Sequence, residues 1–180
     1  LCVFPKRIGE NMYSTIKTAV LEGISALPIQ VEADISTGMP MFDMVGNLSS
    51  EIREAKGRVK TALHNCGIVL PAKRITINFA PANIKKSGTG FDLPIAIALI
   101  TSMGIVNSQE CEKYLFVGEL NLKGDILPVN GILPIVSDGL ITGVEKYIVP
   151  YDNYNEASLV PGAEIYGGLP TTISNPSESD

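Results

Sequence analysis

Residues 85–100 read KKSGTGFDLPIAIALI. A basic pair runs into a glycine-rich loop, and the loop runs into an apolar helix. Asp92 is placed to cap that helix, and Pro94 is tolerated in its first turn. This layout serves a phosphate cradle or a nucleophile presented at a helix start. A Walker A loop requires G-x-x-x-x-G-K-[ST], with the lysine inside the loop. Here Gly88 and Gly90 are followed by Phe91 and Asp92. A carboxylate at the helix start repels the anion that a helix N-terminus would otherwise attract. A dinucleotide G-x-G-x-x-G fails as well, because the third glycine position holds Leu93. The hydroxyls of Ser87 and Thr89 would need an adjacent base to attack at neutral pH. The single histidine, His64, falls on the exposed side of a predicted helix, so a base would have to be a lysine brought in by the fold. The alternative is a tight turn whose glycines let the backbone enter the helix close to a sheet.

Outward from this loop, the composition is that of a cored globular chain. Hydrophobic residues make up 45% of the 180 and charged residues 18%, with only 6% aromatics and no Trp. The core is therefore expected from Ile, Leu, Val and Ala. The three cysteines, Cys2, Cys66 and Cys111, form no CxxC, which points to neither a disulfide framework nor a zinc site. No signal peptide and no apolar run of membrane-spanning length stands out, so a cytoplasmic chain without a membrane partner is expected. The net charge is −5, yet eight bases and one acid lie between Arg53 and Lys86. The bases are Arg53, Lys56, Arg58, Lys60, Lys73, Arg74, Lys85 and Lys86. Such segregation marks either a contact surface, for DNA among other partners, or a solvated face.

Periodicity supplies the elements. Thr15–Ile24 and Leu27–Ser36 read as strands of a hairpin, and MFDMVG (41–46) as a third strand. A helix follows: Ser49 or Ser50 caps it, Ile52, Ala55, Val59, Ala62, Leu63 and Cys66 recur at helical spacing, and Gly67 ends it. Lys73–Pro81 alternates Ile75, Ile77 and Phe79 as a strand. Tyr114–Val129 reads as a hairpin turning through LKGD, GILPIVSDGLITG (131–143) as a helix of about three turns, and KYIVP (146–150) as a strand. A short helix with Asn153 or Asn155 near its start follows, then AEIYGG as a last strand. The expected class is α+β (mixed α/β), with helices on one or both faces of a sheet.

With those residues laid out, SSEIREAKGRVKTALHNCGIVLPAKRITINFAPANIKKSGTGFDLPIAIALI (49–100) resembles the N-terminal domain of Mg-chelatase-like AAA+ proteins, the competence-protein ComM family. VGELNLKGDILPVNGILP, YIVPYDNYNEASLV and AEIYG agree with it in order. The resemblance implies a domain over residues 14–170, an N-terminal arm of unknown role (1–13), and a linker (171–180) towards an AAA+ module. It also implies the fold of the Lon protease proteolytic domain and of the second domain of ribosomal protein S5. Lon-type domains carry a catalytic Ser in a Gly-Pro-Ser-Ala-Gly turn and a Lys within Gly-Gly-Leu-Lys. Counted back from Ala98-Leu99, the Ser position falls on Gly90; in NGIL, the Lys position falls on Leu133. A shifted nucleophile at Ser87 or Thr89 would need Lys85, Lys86 or Lys123, in a kind of site that tolerates errors of only about half an ångström.

The expectation is a non-catalytic accessory domain of an AAA+ ATPase that assists ring assembly or DNA engagement, in DNA processing during natural transformation. ATP and Mg are implied for the downstream module and no cofactor for this chain. The implied partners are its own AAA+ module, further copies in a ring, and DNA. The rival readings are a residual Lon-type Ser/Thr peptidase and a protein-interaction module.

Overall fold

A computed structural model describes residues 12–168. The expected linker (171–180), and the expected N-terminal arm up to residue 11, lie outside the described residues. Tyr13, assigned to that arm, instead opens the first strand. Strand β1 (Tyr13–Glu22) and β2 (Ser25–Ser36) form an antiparallel hairpin with ten paired positions. They turn at Gly23, whose φ of 63° suits a residue without Cβ. Then come β3 (Met41–Val45), α1 (Ser50–Asn65), β4 (Arg74–Ala80), α2 (Asp92–Ser102) and the short α3 (Ser108–Cys111). Strand β5 (Tyr114–Phe116) precedes the small hairpin of β6 (Glu119–Leu120) and β7 (Ile126–Leu127). The described chain closes with α4 (Ile132–Ile141), β8 (Lys146–Pro150), a 3-10 turn (Tyr151–Asn153), α5 (Tyr154–Ala157) and β9 (Glu164–Gly168).

Seven strands form one mixed sheet in the order β3-β4-β2-β1-β5-β8-β9. The β3–β4, β1–β5, β5–β8 and β8–β9 ladders are parallel, while β1–β2 and β2–β4 are antiparallel. Period-two alternation splits each strand between two faces. Ile16, Val20, Ile29, Val31, Ile77 and Phe79 pack with Ile52 and Val59 of α1 and Ile95 and Leu99 of α2. Ala19, Ala26, Leu115, Tyr147 and Val149 pack on the other face with Ile132, Ile135 and Val136 of α4. Helices thus cover both faces, and the class is α+β (mixed α/β) as the periodicity indicated.

Three local expectations are corrected. Asp92 does not cap α2: Phe91 holds the cap position, and the Asp92 side chain turns inward. The stretch 114–129 is not one hairpin. Gly118 separates β5, which joins the main sheet, from the β6–β7 pair, whose turn is held by Asn121 Oδ1 accepting from the amides of Lys123 and Asp125. Asn153 makes no side-chain cap; its amide group bridges the backbone of Val129, accepting from N–H at 2.9 Å and donating to C=O at 3.0 Å.

Candidate functional site

The glycine loop enters α2 against the segment that follows β5. Gly118 N–H donates to the Gly90 carbonyl at 3.0 Å, and Leu93 N–H donates to the Gly118 carbonyl at 3.0 Å. That approach needs Gly118, because a Cβ there would lie 2.8 Å from Ile126 Cγ2. The Leu93 amide at the head of α2 is therefore committed to protein. Residues Ser87 to Phe91, with Val20, Leu21, Val117, Val129 and Asn130 among others, wall a cavity of about 210 Å³. A Cβ on Gly90 would stand 3.1 Å from Val117 Cγ2 and 3.6 Å from Val129 Cγ1, so a side chain there would crowd the Val117 methyl and meet Val129 at ordinary contact distance. Leu133, in the first turn of α4, is exposed and is not part of the wall of this cavity. Among the described residues, neither the Ser87 nor the Thr89 hydroxyl hydrogen-bonds a lysine, a histidine or a carboxylate. Lys85 and Lys123 are exposed, and Lys123 sits in the β6–β7 turn.

The loop is braced from below by two groups that local sequence did not reveal. Asp92 is wholly buried beneath it. Its carboxylate accepts from Arg58 Nε at 2.8 Å, from Arg58 Nη2 at 3.0 Å and from the Leu120 amide at 3.2 Å. Burial raises the Asp92 pKa, and the Arg58 guanidinium and the Leu120 amide pull against that rise. One carboxylate thus ties α1, α2 and β6 together. Lys86 is also wholly buried. Its ammonium donates to the Pro81 carbonyl, its backbone pairs with Asn47 and Ser49, and loss of hydration lowers its pKa.

Two of the eight bases named as a possible DNA surface are thereby reassigned. Lys86 is not at the surface, because its stem and head are packed inside the loop. Arg58 is spent on Asp92. Arg53, Lys56, Lys60, Arg74 and Lys85 are exposed, and Lys73 is half-buried. Helical spacing puts Arg53, Lys56 and Lys60 on one stripe of α1. Lys56, Lys60 and Lys73 wall a cleft of about 540 Å³ with Met41 and Phe42 of β3. Lys56 Nζ lies 5.3 Å from the centre of the Phe42 ring and donates to the Phe42 carbonyl at 2.5 Å. Arg74 faces Asp43 at 3.8 Å.

Among the described residues no three His, Cys, Asp or Glu side chains gather as a metal site, and no helix is long and apolar enough to cross a membrane. Comparison with known proteins adds the family context. Protein YifB of Escherichia coli K12 is 40% identical over 149 residues, which are 83% of this chain and 29% of that protein. Competence protein ComM of Haemophilus influenzae is 38% identical over 144 residues, 80% of this chain and 28% of that protein. Lon protease 2 of Bacillus subtilis is more distant, 28% identical over 153 residues, 81% of this chain and 27% of that protein. The chain thus spans less than a third of the length of these relatives. The family described as subunit ChlI of Mg-chelatase matches residues 31–153, most of the described fold. By that match, and with a Lon-like architecture, the chain belongs to the Mg-chelatase ChlI-subunit family, among relatives of the ComM and YifB type.

Proposed function

We propose that this chain is a non-catalytic accessory domain of an AAA+ ATPase and that its role is ring assembly. The observation that carries the non-catalytic reading is the glycine loop. Its sequence position matches that of a Lon-type peptidase turn, yet Gly90 brings no nucleophile, Val117 crowds the place of a side chain there, and Leu133 brings no base. ATP and Mg would be held by the module beyond this chain. The name borne by ComM supports DNA processing in natural transformation as the setting. The reading is tested with casein and fluorogenic peptides: no turnover is expected. Turnover abolished by Ser87→Ala or Thr89→Ala would instead establish the residual peptidase.

A second reading, DNA engagement, is favoured by the exposed bases of α1 and its neighbouring loop. Cationic contacts release counterions, so binding should fall steeply as salt rises. Arg53→Glu combined with Lys85→Glu should weaken duplex or single-stranded DNA binding in fluorescence anisotropy at low salt. Unchanged binding would remove this surface from consideration. Lys86 is unsuitable for such a test, because reversing a buried charge disrupts the fold.

A further inference from the structure

We infer that the two outer edges of the seven-stranded sheet dock on each other between copies of this chain, head to tail. The inference deepens the ring-assembly reading and rests on it. Among the described residues, the sheet ends in β3 on one side and β9 on the other. The β3 edge is basic: Lys56, Lys60, Lys73 and Arg74 surround it, against Asp43. The β9 edge is acidic. Glu145, Asp152, Glu156 and Glu164 are all exposed there, and the nearby Lys146 already faces Glu164 at 3.4 Å. Each edge also shows large apolar groups to water: Met39, Met41 and Val45 beside β3, and Tyr151, Tyr154 and Tyr166 beside β9. Methionine and tyrosine inside a charged rim is the composition of a protein interface.

The two patches stand at opposite ends of one sheet and cannot meet within a molecule. Like edges repel, which disfavours a two-fold dimer. Unlike edges attract, which favours a heterologous contact repeated from copy to copy. Tracing the ladders, β3 and β9 run in the same direction, so the β9 edge of one copy faces the β3 edge of the next without inversion. Lys56 covers the Phe42 carbonyl on the outer side of β3, a guard against strand addition. The contact is therefore made by side chains. DNA on the basic edge would account for one patch and leave the acidic, tyrosine-bearing edge without a role.

The test is sedimentation velocity of the chain with two charge-reversed variants: Lys60→Glu with Arg74→Glu, and Glu145→Lys with Glu156→Lys. All four positions are at the surface, and circular dichroism melts verify folding. Wild type is expected to self-associate at low salt and to lose association about tenfold or more as salt screens the contact. Each variant alone should be monomeric. An equimolar mixture should associate again, because each variant then meets an edge of opposite sign. A mixture of folded variants that stays monomeric overturns the proposal, as does association indifferent to both reversals. If wild type stays monomeric and only the basic-edge variant loses DNA binding, that edge is a nucleic-acid surface and the proposal falls. The acidic-edge variant leaves Arg53, Lys85 and the glycine loop untouched. Failure of docking is therefore separable from failure of the non-catalytic reading, which peptide turnover decides, and from failure of ring assembly itself, which association indifferent to both reversals would leave standing through another surface.

Discussion

Arg58 reaches from the middle of α1 to a carboxylate that water does not reach. Its own side chain is 24% exposed and that of Asp92 is 1% exposed, so removing the cation leaves a buried charge without its counterion. Arg58→Ala should cost about 3 kcal/mol, the lower end of the range for breaking a buried pair. The folded-state pKa of Asp92 is already raised, and without Arg58 it rises further. A raised carboxyl pKa means that stability is present at low pH and is lost as pH rises through that pKa. The penalty of Arg58→Ala should therefore shrink as unfolding is measured from pH about 7 down to about 4; a constant penalty would show that Asp92 is not the group released. Tyr147 gives a second titration at the alkaline end. Its hydroxyl donates within the protein, with the Val144 carbonyl at 2.7 Å and the Val136 carbonyl at 3.1 Å, and burial pushes its pKa up to about 12. Its contribution is complete below pH about 10 and is lost as pH rises towards about 12. Tyr147→Phe should be less stable at neutral pH by about 1 kcal/mol and should show a shallower alkaline loss in denaturant titrations. Neither Asp92 nor Lys86 announces its burial in the sequence. Arg58 and Asp92 are 34 residues apart, and no local spacing rule links a helix face to a residue so distant.

At the scale of elements, local rules served best where a pattern repeats. The alternation of Ile75, Ile77 and Phe79 fixed which face of β4 is buried, and the three- and four-residue spacing from Ile52 to Leu63 did the same for α1. The glycine loop was also legible, since Gly88 holds a φ of 90° in the left-handed region. The valine methyls above Gly90 were not, because they come from strand β5's continuation and from the segment before α4. They lead to a specific expectation for the loop. Gly90→Ser together with Leu133→Lys restores both residue types of a Lon-type pair, but the new Cβ meets Val117 at 3.1 Å. The double variant should lose about 1–3 kcal/mol to overpacking and still show no peptide hydrolysis. Hydrolysis above the wild-type baseline would mean that the cavity accepts a working nucleophile after all.

For the whole molecule, the sequence of element types was readable but the order of strands was not. Hairpins pair neighbours, and β1–β2 followed that rule. The placement of β5 beside β1, nearly a hundred residues away along the chain, and of β3 outside β4 depends on which faces α1, α2 and α4 cover. Charge was readable only as a total for a segment. Its division between opposite edges of the sheet required the strand order first. That order has one further consequence. Strands β1 to β4 come from one continuous run of chain and β5, β8 and β9 from another, and the two runs share a single registered position, Lys17 beside Leu115. By strand pairing, the described domain is thus two panels with one short seam, over which α4 of the second run packs on Ala19 and Ala26 of the first. A backbone cut between α2 and β5 would leave every other ladder intact on its own side, and the panels would still meet through α2 on Gly118 and β6, α4 on Ala19 and Ala26, and the Ala26 amide on Asp138: the domain has the construction of a two-part complementation system.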